Sequence, residues 1–325
     1  MSGHFSRRTF LKQGSCLLGT AAVGAFPASV QAAEDAHINP RATVYYSKEI
    51  SPEAMLRLYG KINQNIGGNI ALKVHTGEPH GPNILPPAWI KNIQENIPKS
   101  TIVECNVLYD SPRQTTEGHR KTLKINGWTF SDVDIMDAEG DAPLKIPGGR
   151  QLSEIYVGKH LLNYDSMIVL THFKGHAIAG FGGSLKNIAI GCSSPHGGKL
   201  QIHHPLTEKG WELGPSVLQR MVEGGCGITH HFGKRIVYIN VLRNISVDCD
   251  CAGTSAAAPK IPDLGILAST DLLAIEQASI DMVFQLPAKQ NHDLVERIAS
   301  RSGLCQLEYM RLLGMGNSDY ELITV

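Results

Sequence analysis

The chain has 325 residues, of which 30 are basic and 30 acidic, so its formal net charge is zero. Such a balance gives no overall positive potential, which indicates that nucleic acid is not a partner. A hydrophobic content of 42% excludes a disordered chain, and the length excludes a small disulfide scaffold. The chain is long enough for one large domain or two modest ones.

The first 32 residues have the pattern of an export signal. Arg7 and Arg8 precede an apolar stretch, residues 16–26, which is shorter than the ~20 residues that span a bilayer. Small residues then lead to a cleavage site near Ala32. The pattern predicts a twin-arginine signal peptide over 1–32, passage through the twin-arginine translocase, and a periplasmic protein without a stable membrane span. Because this route carries folded proteins, it also favours a bound cofactor. The alternative is a buried N-terminal helix.

Strands and helices alternate through the rest of the chain. We predict strands at residues 41–46, 69–74, 101–108, 133–136, 166–170, 235–241 and 264–267. We predict helices at residues 52–65, 87–97, 115–124, 215–223, 271–284 and 292–301, with Thr115 and Ser269 as N-caps. This alternation predicts an α/β domain over 33–325, with a mostly parallel sheet and flanking helices. The glycine-rich segment 140–150 is predicted to join two lobes around a cleft.

The densest polar segment, residues 171–204, begins where a predicted strand ends. Such strand ends are where α/β sheets bind ligands. Its glycines let backbone N–H groups approach an anion closely, and Lys186 suits a phosphate contact or covalent amine chemistry. Neither the Walker A nor the Rossmann glycine spacing is present. The predicted substrate- and cofactor-binding residues of this segment are Gly180, Gly182, Gly183, Ser184 and Asn187.

Five histidines in the same segment are candidate metal ligands or proton carriers. They are His172, His176, His196, His203 and His204. A single histidine among them would more often be structural, or belong to a solvated turn. Their clustering around the glycines and Lys186 favours a functional site.

Two further polar clusters follow predicted strands. Lys73, His75 and His80 surround the end of strand 69–74, and Arg113 follows the strand that contains Cys105. Arg113 suits recognition of a carboxylate or phosphate. The alternatives are a polar turn for the first cluster and a capped helix start for the second, and the latter is compatible with anion binding.

Cys249 and Cys251 form a Cys-x-Cys pair after strand 235–241. Such a pair can chelate a soft metal but cannot readily form an unstrained disulfide with itself. Cys192 and Cys226 are candidates to complete a thiolate set. Without the signal peptide the chain has an even number of cysteines, which is also compatible with disulfides outside the cytoplasm. Both interpretations remain open.

Five segments, taken together and in order, resemble the domain of unknown function 362 family, whose members are often labelled iron–sulfur center proteins. They are residues 73–78, 110–113, 176–186, 248–251 and 262–269. The resemblance covers nearly all of the predicted mature chain and implies an α/β fold. No Cys-x-x-Cys-x-x-Cys run is present, so the ferredoxin module of some relatives has no counterpart.

The segment from His176 to Lys186 is also distantly similar to the nickel-dependent lactate racemase family. That resemblance implies a lactate-racemase-like fold, an acid/base role for His176, and covalent attachment of a nickel-pincer nucleotide to Lys186. It also implies nickel ligation near His203 or His204. A second catalytic histidine of that family has no counterpart, because Arg113 and the three residues before it occupy the corresponding place.

The leading hypothesis is an exported enzyme, an isomerase or oxidoreductase, that acts on a small anion such as a hydroxy acid. Its cofactor is a transition metal (nickel or iron), an iron–sulfur cluster or an organic nucleotide. The predicted catalytic residues are His176, Lys186 and His75, and Lys73 and Arg113 join the predicted binding residues. The predicted metal ligands are His196, His203, His204, Cys192, Cys249 and Cys251. The alternatives are a periplasmic metal or iron–sulfur redox protein that uses the Cys-x-Cys pair, and a non-catalytic protein that binds a small anion.

Overall fold

The structure is a computed structural model that describes residues 41–325. The predicted signal peptide and its cleavage site lie outside the described residues. Within residues 41–325, no helix combines the length and the apolar character needed to cross a membrane.

The strands and helices of the described part alternate along the chain. The strands are β1 (Ala42–Ser47), β2 (Ile70–Lys73), β3 (Ser100–Glu104), β4 (Val133–Ile135), β5 (Asp141–Lys145), β6 (Glu154–Gly158), β7 (Ser166–His172), β8 (Lys174–His176), β9 (Gly180–Gly182), β10 (Ile236–Leu242), β11 (Gly265–Ser269) and β12 (Tyr320–Thr324). The α-helices are α1 (Pro52–Ile62), α2 (Pro87–Asn96), α3 (Thr116–Ile125), α4 (Ser184–Ala189), α5 (Leu200–His203), α6 (Pro215–Phe232), α7 (Leu272–Phe284), α8 (Ala288–Ser300) and α9 (Cys305–Leu312).

Eight strands form one central sheet in the order β12, β1, β11, β10, β7, β2, β3, β4. Every neighbouring pair is parallel except the two pairs that β11 makes with β1 and β10. The predicted α/β fold with a mostly parallel sheet and flanking helices is therefore confirmed.

Both faces of this sheet are covered by helices. Successive side chains of a strand point to opposite faces. Met167 and Val169 of β7 accordingly lie in one hydrophobic core, and Ile168 and Leu170 lie in the other. The first core is closed by α4, α6, α7, α8 and α9, and the second by α1, α2 and α3. Each of these buried aliphatic side chains contributes roughly 1.5–3 kcal/mol. Burial on both faces explains why β7 is apolar along its length.

The strand order reverses between β2 and β7. From β2 the chain adds β3 and β4 toward one edge, and it later places β7 and β10 on the other side of β2. At such a reversal the connecting segments leave in opposite directions, which opens a crevice at the carboxyl ends of the two strands. The topology thus positions a binding site beside the last residues of β2 and β7, Lys73 and His172.

Several of the predicted element boundaries differ from the structure, among them those of α6 and β3. The helix predicted over 215–223 continues to Phe232, through three glycines that weaken the helical pattern. At Gly225 a Cβ atom would lie 2.6 Å from the Leu185 side chain, so the glycine allows α6 to pack closely on α4. The strand predicted over 101–108 ends at Glu104, and the residues that follow form the wall of the crevice.

The cap of α7 is Asp271 and not the predicted Ser269. The Asp271 carboxylate accepts a hydrogen bond from the Ala274 N–H at 2.9 Å. Ser269 is instead the last residue of β11, and its hydroxyl donates to the Thr43 carbonyl. Thr115, by contrast, caps α3 as predicted, through the Gly118 N–H.

The segment predicted to cross between lobes forms an antiparallel hairpin strand. Residues 141–145 are β5, which pairs with β6, while β4 before it and β7 after it belong to the same central sheet. A second hairpin, β8 with β9, carries His176 and Gly180 opposite each other.

Candidate functional site

A cavity of about 280 Å³ lies at the carboxyl ends of β2, β3 and β7. Its wall combines cationic, thiol, imidazole and apolar groups. The residues that line it and concern the chemistry are Lys73, His75, Glu104, Tyr109, Arg113, Lys174, His176, Lys186, Asn187, Lys199, His203, Trp211 and Cys251. Lysine and arginine side chains outnumber carboxylates in this wall, so the cavity suits an anion.

Glu104 is the buried carboxylate at the centre of this wall. It accepts hydrogen bonds from Lys73 Nζ at 3.1 Å and from the Thr76 hydroxyl at 2.8 Å. Burial alone would raise its pKa, but the charges of Lys73 and Arg113 outweigh burial and hold the pKa of Glu104 well below its usual range. Glu104 is therefore ionised, and it orients the cationic groups around it.

Arg113 uses all of its guanidinium nitrogens within the protein. Nη1 donates to Glu78 at 3.0 Å, Nη2 donates to Glu104, and Nε donates to His119 Nε2 at 3.2 Å. Burial and the Arg113 charge lower the pKa of His119 to about 3, so this histidine is a neutral acceptor. Arg113 lines the cavity, but its partners leave it little capacity to hold a substrate carboxylate.

Lys73 and His75 are brought to the cavity as the sequence predicts. Lys73 is fully buried, and its ammonium also donates to Asn187 Oδ1 at 2.9 Å and to the Val74 carbonyl at 3.0 Å. His75 Nδ1 lies 3.6 Å from Glu104 Oε2, and 18% of its side chain is exposed. His75 therefore retains access to a ligand, whereas Lys73 supports the wall.

Cys249 and Cys251 lie together as free thiols on the 3₁₀ segment Asp250–Ser255 and its cap. The hydrogen bond from Cys251, and then the charges of Lys186 and Lys174, hold the pKa of Cys249 well below its usual range against the effect of burial. The pKa of Cys251 is raised because it shares that hydrogen bond and is buried. Cys249 is therefore the more acidic thiol of the pair.

His176 completes a group of three potential metal ligands. One ligand atom each of His176, Cys249 and Cys251 lie within 4.8 Å of one another. His176 Nδ1 accepts hydrogen bonds from the N–H groups of Ile178 at 3.2 Å and Ala179 at 2.9 Å. Burial and then the charge of Lys186 hold the pKa of His176 well below its usual range. The neutral ring therefore carries its proton on Nε2.

Lys186 lies beside the thiol pair, with Nζ 3.7 Å from Cys249 Sγ. Asn187, the next residue of α4, bridges Lys73 to β7, because its Nδ2 donates to the Leu170 carbonyl at 3.0 Å. Ser184 is fully buried and donates to Asn240 Oδ1 at 2.7 Å. Of the predicted residues on α4, Lys186 and Asn187 line the cavity, whereas Ser184 packs beneath it.

The glycine segment before α4 holds a carboxylate of the protein itself. The Leu185 N–H donates to Glu276 Oε1, and a Cβ atom at Gly183 would lie 2.2 Å from Glu276 Oε2. Burial raises the pKa of Glu276 to about 7. Gly180 has a positive φ of 79° and packs on the backbone of α8. Glu276 accepts from the N–H of Leu185, just after these glycines, and the anion nest at Gly180, Gly182 and Gly183 stays a prediction.

The other predicted metal ligands are dispersed. His203 lines the cavity, whereas His204 is exposed and lies 3.3 Å from Glu212, and His196 is exposed on the π-helical turn Pro195–Lys199. Cys192 is fully buried, and burial raises its pKa to about 11. In the described part of the chain, the group of metal-ligating side chains includes none of these four.

The donor set of the cavity fits a soft transition metal better than an iron–sulfur cluster. Two thiols and an imidazole are ligands of nickel, zinc or iron, and Cys-x-Cys geometry allows both sulfurs to bind one ion. The usual clusters need four cysteine thiolates. Within residues 41–325, only two cysteines belong to the metal-ligating group.

Sequence reasoning missed several residues of the wall. Glu78 and Glu104 form the internal counter-charge of Arg113, and Lys174 pairs with Asp250 at 3.0 Å. His172, which the sequence grouped with the metal ligands, also pairs with Asp250, through Nδ1 at 3.0 Å. Glu104 could have been predicted as a site residue, because it is a charged residue within an otherwise uncharged strand segment.

Comparisons with known proteins give no reaction. No curated protein matches the sequence. Among solved structures, the chain is similar to the lactate racemase apoprotein from Thermoanaerobacterium thermosaccharolyticum, with 15% identity over 62% of this chain and 50% of the other, and a TM-score of 0.36. It is also similar to a protein from Thermotoga maritima, with 14% identity over 60% and 51% of the two chains and a TM-score of 0.35. The chain spans about half the length of these two proteins.

The family model described as "Domain of unknown function (DUF362)" matches residues 70–281. This match contains β2 through most of α7, and with them every residue of the cavity wall named above. It includes both cysteines of the thiol pair. The chain belongs to the DUF362 family.

Proposed function

We propose that the chain is an enzyme that acts on a small anionic substrate, such as a hydroxy acid, with a transition metal held by Cys249 and Cys251. One observation carries this proposal. Two thiols and the imidazole of His176 have ligand atoms within 4.8 Å of one another, beside a cavity whose charged lining residues are mainly lysine and arginine. A soft-metal site next to an anion pocket is an arrangement suited to catalysis, and a purely structural metal site would not need the pocket.

Three side chains of the site have separate roles in the proposed reaction. His176 presents Nε2–H at the thiol pair and donates a hydrogen bond from it to the substrate. Lys186, 3.7 Å from Cys249, balances negative charge that the thiolates and the substrate bring together. His75 is the proton carrier, because 18% of its side chain is exposed and its Nδ1 lies 3.6 Å from Glu104 Oε2. A metal bound by the two sulfurs would act as a Lewis acid toward a substrate oxygen.

Binding of cobalt(II) or nickel(II) to the reduced protein tests the metal site. We expect one equivalent to produce sulfur-to-metal charge-transfer absorption in the near ultraviolet. Cys249→Ser and Cys251→Ser should each abolish it, because a single thiol cannot chelate. Cys226→Ser is the matched control, since Cys226 is a free, buried cysteine outside the cavity wall. Equal absorption in Cys249→Ser and the wild type would contradict the proposal.

Turnover of enantiopure hydroxy acids tests the enzyme. The metal-loaded protein should racemise at least one member of a panel, as measured by chiral chromatography, and His176→Gln should lower the activity by about 10²–10³-fold. The non-catalytic alternative instead predicts reversible binding without product. Turnover that is unchanged in His176→Gln would remove the assigned role of this histidine.

Export by the twin-arginine route is also part of the proposal. The paired arginines Arg7 and Arg8 and the short apolar stretch support it. Replacement of both arginines by lysine should retain the protein in the cytoplasm, as measured by fractionation of expressing cells. Undiminished recovery from the periplasm would contradict it.

A further inference from the structure

One side of the cavity is formed by Lys199, His203 and Trp211, which have no role in the chemistry proposed above. All three line the cavity. Lys199 lies on the π-helical turn and is 4% exposed, and His203 is the last residue of α5. The rings of His203 and Trp211 are 5.7 Å apart. A polar pair beside an aromatic wall is a common arrangement for an amphipathic ligand.

Lys199 differs from the other cations of the wall in its partners. Lys73 pairs with Glu104, and Lys174 pairs with Asp250. Lys199 donates to the Ser193 carbonyl, and among residues 41–325 no carboxylate lies within ion-pair distance of its ammonium. Since an ammonium group has three N–H donors, a buried lysine with a single acceptor retains capacity for a ligand.

His203 has a similar unsatisfied group. Its Nδ1 is buried and has no hydrogen-bond partner in the described part of the chain. Burial, and then the charges of Lys186 and Lys199, lower the pKa of His203 to about 4, so the ring is neutral. A buried polar atom without a partner is unfavourable, because it has lost its hydrogen bond to water. A ligand oxygen that accepts from Nδ1–H would remove this cost.

The remaining wall on this side is apolar. Ile178 and Ile190 line the cavity together with the Trp211 ring. An inorganic anion would leave these surfaces in contact with water, whereas an organic carboxylate would cover them.

We propose that Lys199 and His203 bind the carboxylate of a small organic acid, whose apolar body lies against Trp211 and Ile190. This inference rests on the proposed function only in treating that acid as the substrate. Lys199 and His203, and not Arg113, then bind the anionic group, because the Arg113 guanidinium is already paired with Glu78 and Glu104.

Titration of the metal-free full chain with hexanoate tests this site. We expect saturable quenching of Trp211 fluorescence, and at least tenfold weaker binding of hexanamide, which has the same apolar body without the charge. Trp211→Phe should remove the signal, since Trp128 is buried away from the cavity and Trp89 packs under Arg243. Equal affinity for hexanamide and hexanoate would overturn the proposal, and so would inorganic phosphate that competes as strongly as hexanoate.

Lys199→Met should weaken hexanoate binding at least tenfold, which corresponds to about 1.4 kcal/mol. Lys91→Met is the control, because Lys91 is an exposed lysine on α2. A folded Lys199→Met protein with unchanged affinity would overturn the assignment. If that variant does not fold, nitrogen NMR of the wild type decides, since hexanoate should shift the His203 Nδ1 resonance and an unshifted resonance contradicts the site.

The two proposals fail in different ways. Loss of hexanoate binding with intact charge-transfer absorption removes this carboxylate site and leaves the metal site in place. Intact hexanoate binding without any charge-transfer absorption removes the metal site and leaves a binding protein for organic acids.

Discussion

Glu104 is the residue on which the cationic wall of the cavity depends. It is 2% exposed and has Lys73, Arg113 and His75 around it. Removal of one partner from such a buried group leaves uncompensated charge, which costs far more than an exposed ion pair contributes. The carboxylate therefore makes it possible to concentrate cations in one place in the folded chain.

Glu104→Gln should reduce the free energy of unfolding by about 3–5 kcal/mol at pH 7. The pKa of Glu104 is held well below 4.5, so its stabilising effect is complete above that pH and is lost as the pH falls below it. The gap between the variant and the wild type should therefore narrow from pH 7 to pH 4. Urea denaturation at both values measures it, with the exposed Glu117→Gln as the control. A gap that is absent at pH 7, or that widens on acidification, would contradict this account.

Gly183→Ala should destabilise the protein by about 1–3 kcal/mol, because the new Cβ would lie 2.2 Å from the Glu276 carboxylate. Gly60→Ala provides the comparison. Gly60 lies in α1 with no atom within 4 Å of a Cβ, so the same change there should be neutral or stabilising by about 0.5–1 kcal/mol. Chemical denaturation of both variants measures the difference. Equal stabilities would show that the contact between α4 and α7 is not as tight as described.

Residue types and their clustering could be predicted from the sequence, but their partners could not. Lys73, His176, Lys186 and Cys251 were expected at a site, and all four line the cavity. Arg113 is 35 residues from Glu78 along the chain, and only the parallel arrangement of β2 and β3 brings them together. The pairing of Arg113 is thus a tertiary property that no local pattern contains.

At the scale of elements, a single side chain sets where α7 begins and holds the chain that follows α9. The Asp271 carboxylate accepts from the Ala274 N–H and also from the Asn317 N–H at 2.9 Å. Because the Asp271 carboxylate joins two segments, its removal should lower the free energy of unfolding more than removal of a simple helix cap does.

Asp271→Ala should lower the free energy of unfolding by about 2 kcal/mol, at the upper end of the range for N-caps. Asp271→Asn retains a capping oxygen and should recover most of the loss. Thermal unfolding of the two variants measures this. If Ser269→Ala were the more destabilising change, the sequence-based assignment of the cap would be right and this one wrong.

Elements with strong local signals were predictable, and those defined by tertiary contacts were not. The strand predicted at residues 41–46 is β1 within one residue, because β-branched and aromatic side chains mark it. The hairpins β5–β6 and β8–β9 were missed. For the second hairpin the reason is length and composition, since β8 and β9 have three residues each and contain glycine. The second half of α6 was missed because glycine weakens a helical pattern whatever packs against it.

At the scale of the whole molecule, the order of strands determines where chemistry can occur. The reversal between β2 and β7 opens the crevice. Lys73 and Glu104 end β2 and β3 there, and the segments that follow β7 and β10 bring Lys174 and Cys251 to the same cavity. The alternation of elements predicted this sheet type. The strand order, and with it the meeting of distant loops at one cavity, depends on long-range packing.

The central claim is that Cys249 and Cys251 hold a transition metal beside His176. Anomalous diffraction from crystals of the metal-loaded protein, recorded at the absorption edge of the metal, tests it most directly. We predict one peak within bonding distance of both sulfur atoms, about 2.3 Å for a zinc-like ion. A single peak elsewhere, for example at His230 and His231 on α6, would contradict the claim.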